Sequence, residues 1–335
     1  MAVPTGTYQR FTAIGMREDL EDIIYDISPV ETPVLSNVQR KKASSTYHEW
    51  QTDVLADANG SNAAVEGADA TDTTFVAPSR CGNYTQISTK TLNVSGTSGA
   101  VDAAGMKTIE AYLIAKHGKE LKRDMETILL SNQAAVAGDA STARKLAGFP
   151  TWVKTTAQTP AGNGIVVGTV TGPAYSGGAS TVSGAPTTAW TLTSGAAAFT
   201  EQNLKDAIRN MYQKGGEPKM LMVSPVNKTR VSGFAGLSQT RVNTDVKNGQ
   251  ATIVGSADVY LSDFGSLDIV PSLFCNGAFA YFVDPDYAKV AFLRPFQRTE
   301  LARTGDAKRS QLLAEYTLVV NSPYAHAVVA NITNT

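Results

Sequence analysis

Cysteine is scarce in this sequence: Cys81 and Cys275 are the only two. Two thiols so far apart make neither a disulfide framework nor a metal-ligand spacing. Small buried packing residues are the expected role, and a reducing compartment fits. Charge is thin as well. Lys and Arg number 29 and Asp and Glu 30, which leaves a formal net charge of −1 with 18% charged residues. A bulk basic field for wrapping nucleic acid is thereby excluded. No apolar run approaches the roughly 20 residues of a membrane span. The start, Met1-Ala2-Val3-Pro4-Thr5-Gly6, has no basic stretch followed by an apolar one. No secretory leader is therefore expected, and a soluble protein made in a cytoplasm is.

Catalytic signals are missing too. The three histidines are His48, His117 and His326, and nothing groups them locally. His48-Glu49-Trp50 lacks the second histidine of a zinc-protease helix, and neither a G-x-S-x-G elbow nor a phosphate-binding G-x-x-x-x-G-K-[ST] loop occurs. Gly162-Asn163-Gly164 is followed by Gly168, one place too late for a dinucleotide fingerprint. Asp284-Pro285-Asp286 reads as a turn between strands. No catalytic, cofactor-binding or metal-binding residue is expected.

What the chain does have is length and small residues. Its 335 residues, 28 of them Gly, suffice for a core without staples, in one large domain or two to three subdomains. Met16 to Ile27 reads as a short amphipathic helix on Leu20, Ile23, Ile24 and Ile27, stopped by Pro29 and Pro33. Six acids against Arg17 make residues 17–31 negative. A basic knot follows at Arg40, Lys41 and Lys42. Thr46 to Leu55 reads as a strand, and Phe75 to Val101 shows strand-like alternation, so 47–94 forms a long hairpin-like projection. Met106 to Ala137 is the longest helical pattern, striped by Ile109, Leu113, Leu121, Met125, Ile128 and Leu129. It would run about 45 Å.

Two stretches lack the means to hold themselves. Ala56 to Thr74 has Val65 as its one large aliphatic residue, and all its charges are acidic: Asp57, Glu66, Asp69 and Asp72. Ordering it costs ~1–2 kcal/mol per residue, which its own side chains cannot offset by burial. The loop is either mobile or held by something outside itself. Thr155 to Thr200 has no charged residue until Glu201. It reads as an inserted β-hairpin or a linker, with Trp190 and Leu192 as anchors.

Order returns at Thr200, an N-cap, with a second helix on Leu204, Ile208, Met211 and Tyr212 that ends at Gly215-Gly216. A strand at 220–223 and a helix opening at Ser224-Pro225 follow. Further strands are expected at 251–254, 258–263, 267–270, 279–283, 288–293, 311–320 and 327–332. Without regular βαβ alternation, the class is α+β. Residues 17–31 and the loop to Asp72 are acidic. Residues 40–42, and the stretch with Lys289, Arg294, Arg298, Arg303, Lys308 and Arg309, are basic. Opposite patches on a near-neutral chain suit head-to-tail contact between copies.

Several motifs carry a resemblance. Residues Ile24-Tyr25-Asp26-Ile27-Ser28-Pro29-Val30-Glu31-Thr32-Pro33-Val34-Leu35, then His48 to Asp53, Gly82-Asn83-Tyr84-Thr85-Gln86-Ile87, Lys116 to Asp124 and Asn132 to Gly138 resemble the SU-ten-like major head proteins of tailed phages. The similarity covers about 10–150 and continues more weakly to the end. It implies a Hong Kong 97-type capsid fold: an N-terminal arm (1–45), an extended loop (46–100), a peripheral domain (101–221) with spine helix 106–137 and the insertion 155–198, an axial domain (222–280), and a return to the peripheral domain (281–335). It further implies a homo-oligomer of hexamers and pentamers forming an icosahedral head, in the virion after assembly in the host cytoplasm. The implied partners are a portal protein, possible decoration proteins and packaged double-stranded DNA, contacted weakly and non-specifically, with no membrane involved. No long charged helical segment precedes residue 16, so a separate scaffolding protein is expected. No lysine lies between Lys42 and Lys90, so a lysine-based covalent cross-link from the extended loop is not expected. Within such a shell, Glu66, Asp69 and Asp72 of one copy would meet Arg80, Arg294 or Arg298 of the next. A nanocompartment shell of the same fold, and an adhesin or spike domain, are the competing readings.

Overall fold

A computed structural model describes residues 31–53, 55, 58–67, 69, 72, 77–101, 108–154, 164–167, 172–175, 183–192, 196–234, 242–243, 252–253 and 258–334. The helix expected over 16–27, most of the arm and much of the insertion lie outside them. The described elements run α1 (Pro33–Asn37), β1 (Gln39–Lys42), β2 (Tyr47–Thr52), β3 (Ser79–Tyr84), β4 (Gln86–Ser95), α2 (Gly96–Ala100), α3 (Ile109–Leu129), β5 (Gly164–Val166), α4 (Glu201–Gln213), β6 (Met220–Val223) and α5 (Pro225–Ser232). They continue with β7 (Val242–Asn243), β8 (Thr252–Ile253), β9 (Val259–Ser262), β10 (Gly265–Pro271), β11 (Phe279–Val283), β12 (Ala288–Leu301), β13 (Ala307–Val320) and β14 (Ala327–Ala330).

The α+β class holds, with two main sheets. One has the order β1-β12-β13-β4, the other β5-β14-β11-β6-β10-β9; β2 and β3 form a separate pair, as do β7 and β8. The six-stranded sheet is covered on both faces, and β11 shows why its sequence is apolar throughout. Phe279, Tyr281 and Val283 point into the main core, whereas Ala280 and Phe282 point into a second core under α4. That second core receives Leu204, Ala207, Ile208 and Met211, the i, i+3, i+4, i+7 stripe of α4. Thr200 caps α4, its Oγ1 accepting the Asn203 N–H at 3.3 Å. Ser224 does the same for α5, with Pro225 at the first position. The other face of the sheet shares the main core with α3 and β13, through Leu121, Met125, Leu129, Tyr316 and Leu318.

The spine is shorter than its sequence pattern. The helix has 21 residues, Ile109–Leu129, not 106–137, and spans about 32 Å. It passes unbroken through Gly118. Its end follows from side chains that compete with helical bonding. Asn132 exchanges two hydrogen bonds with the Trp190 backbone, at 2.8 and 3.0 Å, and Gln133 donates to the Leu146 carbonyl at 2.7 Å. Val136 is then free to bridge Lys145 in an extended pairing.

The second half departs in the opposite sense. β12 and β13 have 14 residues each and outrun the apolar stretches 288–293 and 311–320. The outer half of β12 is exposed and carries no apolar alternation, so the ladder to β13 holds it. Register shifts flank Arg294, beside Pro295, which has no N–H to give the ladder. Likewise Gln39-Arg40-Lys41-Lys42 is a strand, parallel to β12, with all four residues exposed.

Candidate assembly surfaces

The root of the β2–β3 hairpin is held by many contacts to the body. Tyr47 pairs with Tyr84 and Thr52 with Ser79 in an antiparallel register. The Tyr47 and Tyr84 rings lie 4.6 Å apart. Gly82 passes beneath them; a Cβ there would sit 2.5 Å from Tyr47 Cζ. Asn83 is fully buried: its Nδ2 donates to the Leu318 carbonyl at 2.8 Å and its Oδ1 accepts from Ala147 N–H at 2.8 Å. Thr85 donates to Glu315 Oε1 at 2.8 Å, and Gln86 Oε1 accepts from Gln133 Nε2 and Leu146 N–H. Each polar residue of the Gly82–Gln86 motif is thus an anchor. Part of the chargeless insertion adds to the root: Gly184 runs parallel to Cys81 and exchanges backbone bonds with Gly82 and Arg80.

Beyond the root nothing comparable occurs among the described residues. Leu55 is 93% exposed and Val65 79%, so neither of these two described aliphatic side chains is buried in its own subunit. Glu66, Asp69 and Asp72 are exposed and enter no ion pair among the described residues. The three arginines expected to meet such acids each hold a carboxylate of their own chain. Arg80 pairs with Glu49 across the hairpin. Arg294 Nε donates to Glu315 Oε2 at 2.7 Å. Arg298 binds Glu110 and lies 3.4 Å from Glu300. All three arginines remain partly open to solvent, and Arg294 in addition helps compensate a buried charge.

Two buried carboxylates went unnoticed in the sequence. Glu315, on β13, is 3% exposed and receives Arg144 Nη2 at 2.7 Å, Arg294 Nε and Thr85 Oγ1. Its three partners come from β12, the chain after α3 and the hairpin root, so one charge ties them to β13. Glu126, on α3, is fully buried and accepts the N–H groups of Val34 and Leu35 at 2.7 and 3.1 Å. Burial pushes its carboxyl up to about 7, although both N–H bonds pull the other way. A single Glu in an amphipathic stripe gives no sign of either role; only the tertiary contact does.

Other chemistry is sparse. A cleft of about 420 Å³ lies between α4 and the β9–β10 hairpin, lined by Lys205, Asp206, Arg209, Tyr260, Leu261 and Phe264 among others. Its two cations are taken by intrahelical partners, Lys205 by Glu201 and Arg209 by Asp206, each at 2.9 Å. Among the described residues no three His, Cys, Asp or Glu side chains gather to hold a metal. Cys81 and Cys275 are buried and form no disulfide. No described helix is long and apolar enough to cross a membrane.

The fold as a whole is shared with solved shells. The chain is similar to the capsid of cyanophage A-1(L), with TM-score 0.61, 12% identity and coverage of 95% of this chain and 98% of that one. It is similar to the holo-SrpI encapsulin of Synechococcus elongatus PCC 7942, with TM-score 0.51, 11% identity and coverage of 96% and 94%. These likenesses establish the Hong Kong 97-type fold. By sequence it is 29% identical to the major capsid protein of Escherichia phage Phieco32, over 98% of this chain and 97% of that protein. A family model described as SU10 major capsid protein matches residues 3–333, and the chain belongs to that family.

Proposed function

We propose that this chain is the shell subunit of a phage head, and that it works mechanically, by closing rings of copies and overlaying each copy with its neighbour's hairpin loop. The observation that carries this reading is the contrast at the hairpin: a root fixed by Asn83, Thr85 and Gln86, and a loop whose Glu66, Asp69 and Asp72 enter no ion pair among the described residues and whose Leu55 and Val65 are exposed. A segment of that composition gains order when docked on another molecule. Contacts of the permanent kind bury about 2,000–5,000 Å². Many modest ones made together hold a closed shell. Glu66, Asp69 and Asp72 are the loop's docking charges, and the exposed Arg80 and Arg298 of a neighbour are open to share theirs.

The finer proposals follow from the same reading. Locking is noncovalent, because the loop has no lysine. A separate scaffolding protein guides assembly, a portal occupies one vertex, and double-stranded DNA meets the inner wall weakly, with a shallow salt dependence. Two experiments test this. The purified chain, coexpressed with its scaffold, is imaged by negative-stain microscopy, where closed shells are expected and monomers or trimers would refute the reading. Shells boiled in denaturant should give a single monomer band; a ladder of linked subunits would overturn noncovalent locking. Particle contents separate a head, which holds DNA, from a nanocompartment, which holds protein.

A further inference from the structure

Short α1 is where the N-terminal segment joins the body, and it is seated in an unusual way. Its sequence, Pro33-Val34-Leu35-Ser36-Asn37, is too short to be stable alone. Val34 and Leu35 sink into the main core beside Leu129, and the N–H groups of the same two residues end on the carboxylate of Glu126, one turn earlier on the spine. These N–H groups belong to the first turn, where a helix has no internal acceptors to offer. Glu126 therefore supplies the acceptors that α1 lacks.

The charge on that carboxylate has nothing to balance it. No Lys, Arg or His enters an ion pair with Glu126 among the described residues. α1 has no ionisable side chain, and neither has β6, whose Met220 Sδ accepts from Asn37 Nδ2 at 3.7 Å. From the segment between β10 and β11 comes Cys275, whose thiol burial pushes up to about 12, so it stays neutral. On α3 itself, Arg123 turns to the Phe274 ring, 5.5 Å from its centroid, and Asp124 pairs with Lys90 at 2.7 Å. The contrast with Glu315, which has two arginines, is complete.

We propose that Glu126 is a proton-operated latch for the N-terminal segment: a proton on its carboxyl seats α1 against the spine, and loss of that proton loosens α1. Ionised, the carboxylate gains two N–H bonds but gives up its whole hydration shell with no cation in return. Neutral, it keeps a carbonyl acceptor for one of the two N–H groups and leaves the other facing its hydroxyl oxygen, a smaller cost than burying an uncompensated charge. The sign follows by linkage. Seated, the group holds its proton up to about pH 7; released into water, it would titrate at the ordinary 4.5. Seating is therefore fully favoured below 4.5, weakens as pH rises through the window from 4.5 to 7, and levels off above it.

Hydrogen exchange of the full-length subunit tests this, followed by mass spectrometry on a peptide covering 33–38 and corrected for the intrinsic pH dependence of exchange. Protection of Val34 and Leu35 should fall about tenfold per pH unit between 5 and 7. In Glu126→Gln, which is neutral and of the same shape, protection should stay level over that range. The same experiment reads β13 residues 316–320 as a control, and their protection should not fall in step. A level profile for the unaltered chain would overturn the latch. So would an unchanged slope in Glu126→Gln, or a parallel fall in β13, which would make the effect global.

Discussion

The root of the β2–β3 hairpin and the loop it carries are held by opposite means. At the root, Asn83, Thr85 and Gln86 reach Leu318, Ala147, Glu315 and Leu146, and Tyr47 closes over Gly82. In the loop, Leu55 and Val65 lie in solvent and three acids have no cation among the described residues. If the loop docks on a neighbour as proposed, folding and assembly draw on separate residues. Damage at the root should unfold the subunit; damage in the loop should leave the subunit intact and abolish the shell.

The largest effect belongs to Glu315. Replacing it with Ala leaves Arg144 and Arg294 facing a buried site without their carboxylate, and removes the acceptor of Thr85. Breaking a buried pair from one side costs about 3–5 kcal/mol. Urea denaturation of the unassembled subunit should show this as a lower midpoint at unchanged slope, and no shells should form. A loss below about 1 kcal/mol would mean that the body does not depend on this tie.

Acid attacks the body through His326, which is fully buried and packs edge-on against Phe149, with ring centroids 5.1 Å apart. Its Nδ1 accepts from Asp284 N–H at 3.2 Å, and burial pulls its pKa down to about 4. The folded pKa lies below the unfolded 6.5, so the unfolded chain takes up the extra proton between 6.5 and 4, and stability falls as pH drops through that window. Glu126 works the other way, gaining stability as pH falls from 7 to 4.5. In the unaltered chain the two largely offset each other. Glu126→Gln removes one of them, so between pH 7 and 5 this variant should lose about 2 kcal/mol that the unaltered chain keeps. Thermal melts at the two pH values check it.

A smaller loss is expected at Gly82. Gly82→Ala puts a methyl group 2.5 Å from Tyr47 Cζ, and that ring stacks on Tyr84. The ring can yield only by leaving its partner, for a cost of about 1–3 kcal/mol. Tyr47→Leu in the same chain should recover part of it, which denaturation midpoints of the single and double variants would show.

Legibility followed the same divide. Strands buried on both faces, such as 220–223 and 279–283, were read with their observed limits, because unbroken apolar runs between turn residues have few other uses. α4 was read from its stripe and its cap. Elements held by backbone pairing alone were missed. β1 looked like a knot of cations, and the outer half of β12 like a basic stretch. The spine was overextended because Ala134-Ala135-Val136-Ala137 favours helix locally, while Asn132 and Gln133 have partners that no sequence pattern reveals. The loop's inability to hold itself was plain in its composition. Which arginines were already engaged was not, since Glu49, Glu110 and Glu315 approach them only through strand register and packing.

The smallest effect on the subunit should be the largest on the shell. Glu66→Gln, Asp69→Asn and Asp72→Asn together keep the shape of the loop and remove its described charges. These residues are exposed and unpaired within the chain as described, so the denaturation midpoint should move by no more than about 0.5 kcal/mol. Assembly is a different measurement. If the charges dock on a neighbour, the triple variant should remain a well-folded subunit that fails to build shells under conditions where the unaltered chain does, and sedimentation would resolve the two. Reversing the charges to Lys should be worse than neutralising them, because like charges would then face Arg80 or Arg298 across the contact. Arg80→Glu or Arg298→Glu in that background should restore some assembly if the pairing is direct. Full assembly of the neutral triple variant would leave Leu55 and Val65 to carry the docking. A large drop in subunit stability would show that the loop was folded onto its own body, and would end the distinction between root and loop.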